Sequence, residues 1–407
     1  MTIVMNILFL TENEISPMQG GTERITHTLS REFLALGHEC SLLYLIPASP
    51  DISVSGFTAK YRLNTDYDIA QQISAFLESN FIGVVIVNLV RYSSKKLILP
   101  VLYNVTRKQG AKVIVCYHAM PGEDIVSTSL SNIVYRLVNG YDQKQAIKDL
   151  ANKVFRGRAS ELLFGRRIKA KYRLNIDNCD RFVMLSQHFY EPYCRLAGVT
   201  DKSKFCAIPN ALSFIDTLQA EKLQDKQKKV LIVARMHERS KRLSMALTIW
   251  KKVEADDVLH DWELDIVGGG PDIHYYRQLI KYMGLKRCLL LGRQPEIDQF
   301  YADSSIFMMT SAFEGFGITL IEAQQNGVVP IVTDSFASLR DIITSGKNGV
   351  IVRNNDVDSF YEALKKLMLD EDGRMQMARS GLQSCQAFSQ KEITSMWIGL
   401  IEETLRN

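Results

Sequence analysis

The segment Glu314-Gly315-Phe316-Gly317-Ile318-Thr319-Leu320-Ile321-Glu322 holds two carboxylates around a pair of glycines. It follows the apolar run Ile306–Met309 and opens a helix-like stretch. Gly315 and Gly317 let backbone amides approach a ligand closely, and a helix N-terminus attracts anions. Glu314 precedes the helix and Glu322 lies about one turn inside it, so one ligand could contact both. Carboxylates beside an anion site suit hydroxyl groups, because they accept hydrogen bonds from sugar OH. The simpler reading is a glycine-rich turn with a helix-start carboxylate that favours the dipole.

Arg235 and Lys241 follow another apolar run, Val230–Ala234, with Arg239 between them. Two cations at a strand end can neutralise a diphosphate, arginine in a bidentate fork and lysine as a point charge. They would lower the charge on a leaving nucleotide as its bond breaks. Gly20 and Gly21 follow the first strand-like run and permit amide contact with phosphate, although such a pair is often only a loop. His118 ends the run Lys112–Tyr117, where it could orient a sugar or handle a proton. A lone histidine there is otherwise a structural residue. Gly268-Gly269-Gly270-Pro271 fails the dinucleotide fingerprint, since Ile273 stands where the last glycine should be. Asp66/Asp68, Asp356/Asp358 and Asp370/Asp372 form D-x-D pairs, but in loop or helix-start contexts that predict caps rather than metal ligands. No H-E-x-x-H or serine elbow is present.

These residues all fall where strand-like runs give way to loops. Ile3–Leu10, a Gly-Gly loop, a helical pattern over Thr22–Leu36 and Cys40–Leu45 make a βαβ unit. Val84–Asn88, Lys112–Tyr117 and Phe182–Ser186 extend the series. A second series has strands at Val230–Ala234, Leu264–Val267, Cys288–Leu291, Ile306–Met309 and Val329–Val332. Its helices are expected over Met245–Val253, Tyr275–Met283, from Ile318 and over Ser359–Leu369. Two doubly wound parallel sheets are expected, with ligands beyond the carboxyl ends of the strands and a cleft between the domains as the default site. The predicted organisation is a first domain over 1–208, a polar linker over 209–229, a second domain over 230–388 and an amphipathic helix over 389–407.

The chain has 407 residues, enough for two domains, each with its own core. Its 46% hydrophobic and 23% charged residues exclude a largely disordered chain. No apolar run approaches the roughly 20 residues a membrane span needs. Met1–Leu10 lacks a basic n-region and a cleavage site, and reads as a strand rather than a signal peptide. Seven scattered cysteines without a CxxC pair fit a reducing cytoplasm and no disulfide frame. Residues 1–210 carry +7 and the remainder −3. Ten basic and two acidic residues lie within 144–173. Phe164, Ile168 and Tyr172 recur there at helical spacing. The tract suits an interfacial helix on an anionic membrane, or a solvated helix over an apolar face. No nucleic-acid recognition motif accompanies the charge.

The spacing Glu314–Glu322, in the text TSAFEGFGITLIEAQQNGVVPIVTD, resembles the E-x7-E signature of retaining glycosyltransferases of family four. Met5–Arg24 resembles that family's opening strand and Gly-Gly loop. Ile208–Ala211 resembles its Pro-Asn domain junction, and Ala234–Arg242 its Arg…Lys donor-phosphate segment. Residues from about 50 to 180 match nothing specific, and acceptor choice would lie there. The resemblance implies a GT-B fold, with the C-terminal helix returning to the first domain. It implies a retaining, metal-independent hexosyltransferase that uses a UDP- or GDP-sugar and no cofactor. The acceptor hydroxyl would belong to a glycan or lipid-linked glycan of cell-surface polysaccharide synthesis. The alternative is a non-catalytic nucleotide-sugar-binding or scaffold subunit; a periplasmic-type binding protein and a dehydrogenase fit less well.

By the same resemblance, Glu322 binds the ribose and Glu314 the donor sugar. Backbone at Gly315, Phe316, Gly317, Ile318 and Thr319 holds sugar and pyrophosphate, and Arg235 and Lys241 meet the phosphates. Gly20 and Gly21 line the donor, His118 contacts the sugar near the reacting carbon, Gly268 shapes the nucleotide pocket, and Arg293 and Gln294 lie near the base. The family spacing of the two cations is usually about five rather than the six found here, so Arg239 competes with Lys241 for the second role. The expected location is the cytoplasm, with a peripheral position on the inner membrane face through 144–173.

Overall fold

The computed structural model describes residues 4–15, 20–48, 56–88, 98–123, 133–134, 137, 143–154 and 158–406. The chain divides into two compact units. One comprises Met1–Pro121, Gly165–Ser213 and Ala387–Asn407; the other comprises Gly122–Phe164 and Phe214–Gln386.

In chain order the first unit's strands are β1 (Asn6–Asn13), β2 (Glu39–Ile46), β3 (Ala59–Arg62), β4 (Val84–Asn88), β5 (Lys112–Tyr117), β6 (Arg181–Met184) and β7 (Phe205–Ala207). They form one sheet in the order β3-β2-β1-β4-β5-β6-β7, with every pairing parallel. Its helices include α1 (Gly21–Ala35), α2 (Ile69–Ser79) and α3 (Ile98–Gln109). Farther along the chain come α4 (Gln143–Val154), which falls in the stretch grouped with the second unit, α5 (Arg158–Asp177), which enters the first unit at Gly165, and α6 (Tyr190–Ala197) of the first unit. All five residues of β4 are buried, as a central parallel strand covered on both faces must be.

The second unit's strands are β8 (Gln227–Val233), β9 (Glu263–Val267), β10 (Cys288–Gly292), β11 (Ser304–Met309), β12 (Val329–Thr333) and β13 (Val350–Val352). They form a parallel sheet in the order β10-β9-β8-β11-β12-β13. Around it lie α7 (Glu238–Lys241), α8 (Leu243–Glu254), α9 (Ile273–Met283), α10 (Asp298–Asp303) and α11 (Ile318–Gln325). They are followed by α12 (Leu339–Ile342), α13 (Val357–Leu369) and α14 (Glu371–Ser384). Trp250, Trp262, Tyr276 and Phe360 sit in this unit's core.

The last helix, α15 (Gln390–Arg406), belongs to the first unit, as expected. It buries Ile393, Trp397, Leu400 and Ile401 in one cluster with Leu29 and Phe33 of α1. Burying one such large side chain contributes about 1.5–3 kcal/mol. The Leu212 amide donates to the Phe388 carbonyl at 2.8 Å and fixes the approach of the returning chain.

From Phe214 onward the stretch expected as linker is packed on the second unit. Leu223 is buried in that unit's core, and the Leu218 amide donates to the Gln325 carbonyl at 2.9 Å. Polar composition concealed this, because single apolar residues and a half-buried lysine do the anchoring. Lys226 donates to the carbonyls of Tyr301 (2.7 Å) and Asn326 (2.6 Å), and burial pushes its ammonium down to about 7.

The expected membrane-facing stripe takes a different course. In α5, Ile168, Tyr172 and Ile176 are buried. The Tyr172 ring meets Tyr193 edge-on at 4.8 Å, and its hydroxyl lies 3.1 Å from that of Tyr117. At these three positions the apolar face is consumed by the protein, while Arg166, Arg167, Lys169 and Arg173 point to solvent. Phe155 lies outside the described residues, and the described side chains do not include Leu162–Phe164. Among the described residues no helix is long and apolar enough to cross a membrane.

Candidate functional site

In an open parallel sheet, the crevice forms where connections leave adjacent strands toward opposite faces. In the second unit this switch point lies between β8 and β11, which are hydrogen-bonded neighbours. The segment after β8 carries Arg235 in a loop and Arg239 and Lys241 in the short helix α7. The loop after β11 carries Glu314 and leads into α11.

The structure brings Lys241 and Glu314 together. The Lys241 ammonium donates to Glu314 Oε1, and the Ser311 hydroxyl donates to the same oxygen at 2.6 Å. Both members are largely sequestered, with side-chain exposures of 20% and 14%. Lys241 thus stands at the loop that starts α11. Arg235 is exposed at the mouth of the β8 loop, and Arg239 is half-buried.

Gly317 has φ +87, a left-handed conformation that glycine adopts without strain, and it caps α11. The Ser338 hydroxyl donates to the Gly315 carbonyl at 3.1 Å and holds the turn. Phe316 is buried beneath it. The backbone at Ile318 and Thr319 forms the first turn of α11, where amide groups lack helical partners.

Glu322 is fully buried on α11. Its Oε2 accepts the Tyr301 hydroxyl at 2.9 Å. Tyr301, itself buried, meets the Phe214 ring edge-on at 5.6 Å and offers its carbonyl to Lys226. Tyr301 was invisible to motif reading. Its only sequence signal is an aromatic residue in a short amphipathic helix, which fits many core positions equally well.

The glycine-rich loop after β9 has a structural cause. A Cβ at Gly268 (φ +139) would sit 1.9 Å from the Ala234 carbonyl oxygen, and one at Gly270 would sit 2.4 Å from that of Met236. These glycines let the β9 loop lie directly against the β8 loop, where the Met236 amide donates to the Gly269 carbonyl at 2.9 Å. Arg293 is exposed just after β10, and Gln294 donates to the Leu291 carbonyl at 2.8 Å.

In the first unit, Gly20 and Gly21 form the N-terminus of α1, beyond the end of β1. A Cβ at Gly20 would meet the Glu23 carboxylate at 2.6 Å. His118 follows β5, and its Nε2 lies 3.1 Å from Asn88 Oδ1, at the end of β4. Asn88 Nδ2 donates to Thr26 on α1 at 2.8 Å, so Oδ1 is the acceptor and His118 Nε2 carries the proton. Burial pushes His118 down to about 4. The imidazole is neutral at physiological pH and presents Nδ1 as an acceptor.

Between pH 6.5 and 4 the unfolded chain binds the proton that folded His118 refuses, so stability falls as pH drops through this window. Unfolding midpoints of His118→Gln should lose that part of the acid slope. The pH–rate profile between 5.5 and 8 should show no histidine ionisation that the substitution removes; an ionisation lost with His118 would contradict this assignment.

The expected caps are present. Asp68 accepts from the Ala70 amide at 2.9 Å, Asp356 from Ser359 at 3.0 Å and Asp370 from Gly373 at 2.9 Å.

Residues 214–384, most of the second unit, match the family described as glycosyl transferases group 1. An exopolysaccharide phosphotransferase from Streptomyces coelicolor is 29% identical over 177 residues, 43% of this chain and 19% of that protein. The amylovoran biosynthesis glycosyltransferase AmsD of Erwinia amylovora is 28% identical over 189 residues, 46% of this chain and 51% of that protein. The chain thus spans from about a fifth to about half of the length of these relatives. The crystal structure of Anabaena HepE in complex with UDP matches with a TM-score of 0.72 at 12% identity, covering 98% of this chain and 100% of that one. At that identity the likeness establishes the fold, which is GT-B.

Proposed function

We propose that the protein is a retaining, metal-independent glycosyltransferase. It moves a hexose from a UDP- or GDP-linked donor to a hydroxyl of a glycan or lipid-linked glycan in cell-surface polysaccharide synthesis. The observation that carries this reading is the pairing of Lys241 with Glu314 at the start of α11, on the switch point of a glycosyltransferase-family domain. UDP bound to the HepE neighbour and the polysaccharide-related names of the relatives support the donor and acceptor classes.

The chemistry is electrostatic positioning. Glu322 accepts hydrogen bonds from the ribose hydroxyls, Lys241 and Arg235 meet the diphosphate, and the α11 amides cradle it. Negative charge grows on the departing diphosphate as the glycosidic bond breaks, and fixed cations stabilise it at no reorganisation cost. With the acceptor on the same face as the leaving group, the departing phosphate takes the acceptor proton. Neutral His118 accepts a hydrogen bond from the donor sugar.

Transfer or hydrolysis of radiolabelled UDP- and GDP-hexoses by the purified protein tests this reading. Turnover should persist in excess EDTA, because the cations and the helix N-terminus occupy the role a metal would play. Chelator-sensitive turnover restored by manganese would overturn metal independence. Tight donor binding with no turnover would favour a non-catalytic subunit.

Membrane association rests on charge, since Ile168, Tyr172 and Ile176 of the α5 stripe are buried. The exposed Arg166, Arg167, Lys169 and Arg173 each contribute about 1 kcal/mol near an anionic surface, screened over about 10 Å at 0.1 M salt. Co-sedimentation with anionic but not neutral vesicles, lost at high salt and in the fourfold serine variant, is the expected result. Equal sedimentation of wild type and variant would rule the tract out.

A further inference from the structure

The loop that presents Lys241 is shaped by a residue with no assigned role. Arg242 adopts φ 47 and ψ 47, a left-handed backbone that a side-chain-bearing residue rarely takes, and it separates α7 from α8. Its guanidinium reaches away from the β8 loop into the strand ends that face it. Nε donates to the Thr310 carbonyl at 2.9 Å and Nη2 to the Ser311 carbonyl at 2.8 Å. Nη2 also reaches Asn354 Oδ1 at 2.8 Å, and Nη1 donates to Asn355 Oδ1. One planar fork thus ties the loops after β11 and β13 to the loop after β8.

The tie is reciprocated. The Thr310 hydroxyl lies 3.1 Å from the carbonyls of both Lys241 and Arg242, and the Ala312 amide donates to the Ser240 carbonyl at 2.7 Å. Ser311, whose carbonyl Arg242 holds, is also the residue whose hydroxyl meets Glu314. The same short segment therefore fixes the cation and the carboxylate relative to each other.

We propose that Arg242 is a positioning residue that locks Lys241 against Glu314, its strained backbone ending α7 directly after Lys241 and its guanidinium clamping the loop that carries Glu314. A lysine there cannot reproduce the clamp, because a point charge lacks the fork that serves several acceptors at once. The consequence for catalysis rests on the donor-phosphate reading of Lys241; the clamp itself does not.

Two measurements separate the two. The first is a double-mutant cycle of Lys241→Ala and Glu314→Ala on denaturant unfolding, in the wild-type and Arg242→Gly backgrounds. Glycine keeps the left-handed backbone and relieves its strain, so Arg242→Gly removes the clamp without forcing the loop into another conformation. The wild-type background should show favourable coupling between Lys241 and Glu314, and the Arg242→Gly background none. Equal coupling in both backgrounds, or none in the wild type, overturns the proposal. The second is calorimetric titration with UDP and with GDP. Arg242→Gly and Lys241→Ala should each weaken binding about tenfold, and the double variant should be no worse than Lys241→Ala alone. Additive losses overturn the proposal, whereas a wild type that binds neither nucleotide refutes the donor reading and leaves the cycle to judge the clamp. Should Arg242→Gly fail to fold, Arg242→Lys replaces it in both measurements, with loss of coupling again expected.

Discussion

Glu322→Gln is expected to weaken binding of the nucleoside diphosphate about tenfold or more while the protein stays folded. The carboxylate accepts charge-assisted hydrogen bonds worth about 1.5–3 kcal/mol each, and the amide removes the charge but keeps the shape. Tyr301 donates to Oε2 at 2.9 Å, and the amide oxygen of Gln can still accept that bond. Glu322→Ala should behave differently. It strands the buried Tyr301 hydroxyl, a penalty of about 1–3 kcal/mol in stability before any effect on the ligand. Calorimetric titration with UDP and GDP, beside thermal melts, separates the two effects. A folded Glu322→Gln protein with wild-type nucleotide affinity would sink the ribose assignment.

Lys241→Ala is expected to lower turnover about 100-fold or more, because it removes a preorganised charge aimed at a growing negative one. Its effect on stability should be the smaller one: the ion pair with Glu314 is largely sequestered, and stranding its carboxylate costs about 1–3 kcal/mol, part of which the Ser311 hydroxyl offsets by still donating to it. Arg235→Ala should also cut turnover more than stability, since Arg235 is exposed. Arg239→Ala is the discriminating control. The pairing of Lys241 with Glu314 favours Lys241 as the second phosphate cation, so Arg239→Ala should be the milder change. A silent Lys241→Ala beside a crippled Arg239→Ala would shift the phosphate role two residues back. Steady-state kinetics on the three variants decides it.

The two series of βα units were legible because central parallel strands are near-continuous apolar runs ending in polar residues, as in Val84–Asn88 and Ile306–Met309. The strands that escaped are β3, β7 and β13. Each is three or four residues long and lies at a sheet edge, where one neighbour suffices and the apolar signal fades. The glycines and carboxylates around α11 were visible because a strand-to-helix turn restricts residue type locally, as Gly317 in its left-handed conformation illustrates.

What only the tertiary structure decided was which residues meet. Lys241 and Glu314 are 73 positions apart, and Arg242 finds its acceptors 68 to 113 positions away. No local spacing encodes such partners; they arise when parallel strands bring their carboxyl ends to one edge. The same cause redirected the α5 stripe, whose i, i+4 pattern specifies an apolar face but not what covers it. The sequence by itself determined the strands, the turn that starts α11 and the charged residues available there, because these depend on neighbours along the chain. Their pairing, and the burial of Glu322 against Tyr301, depend on neighbours across the sheet.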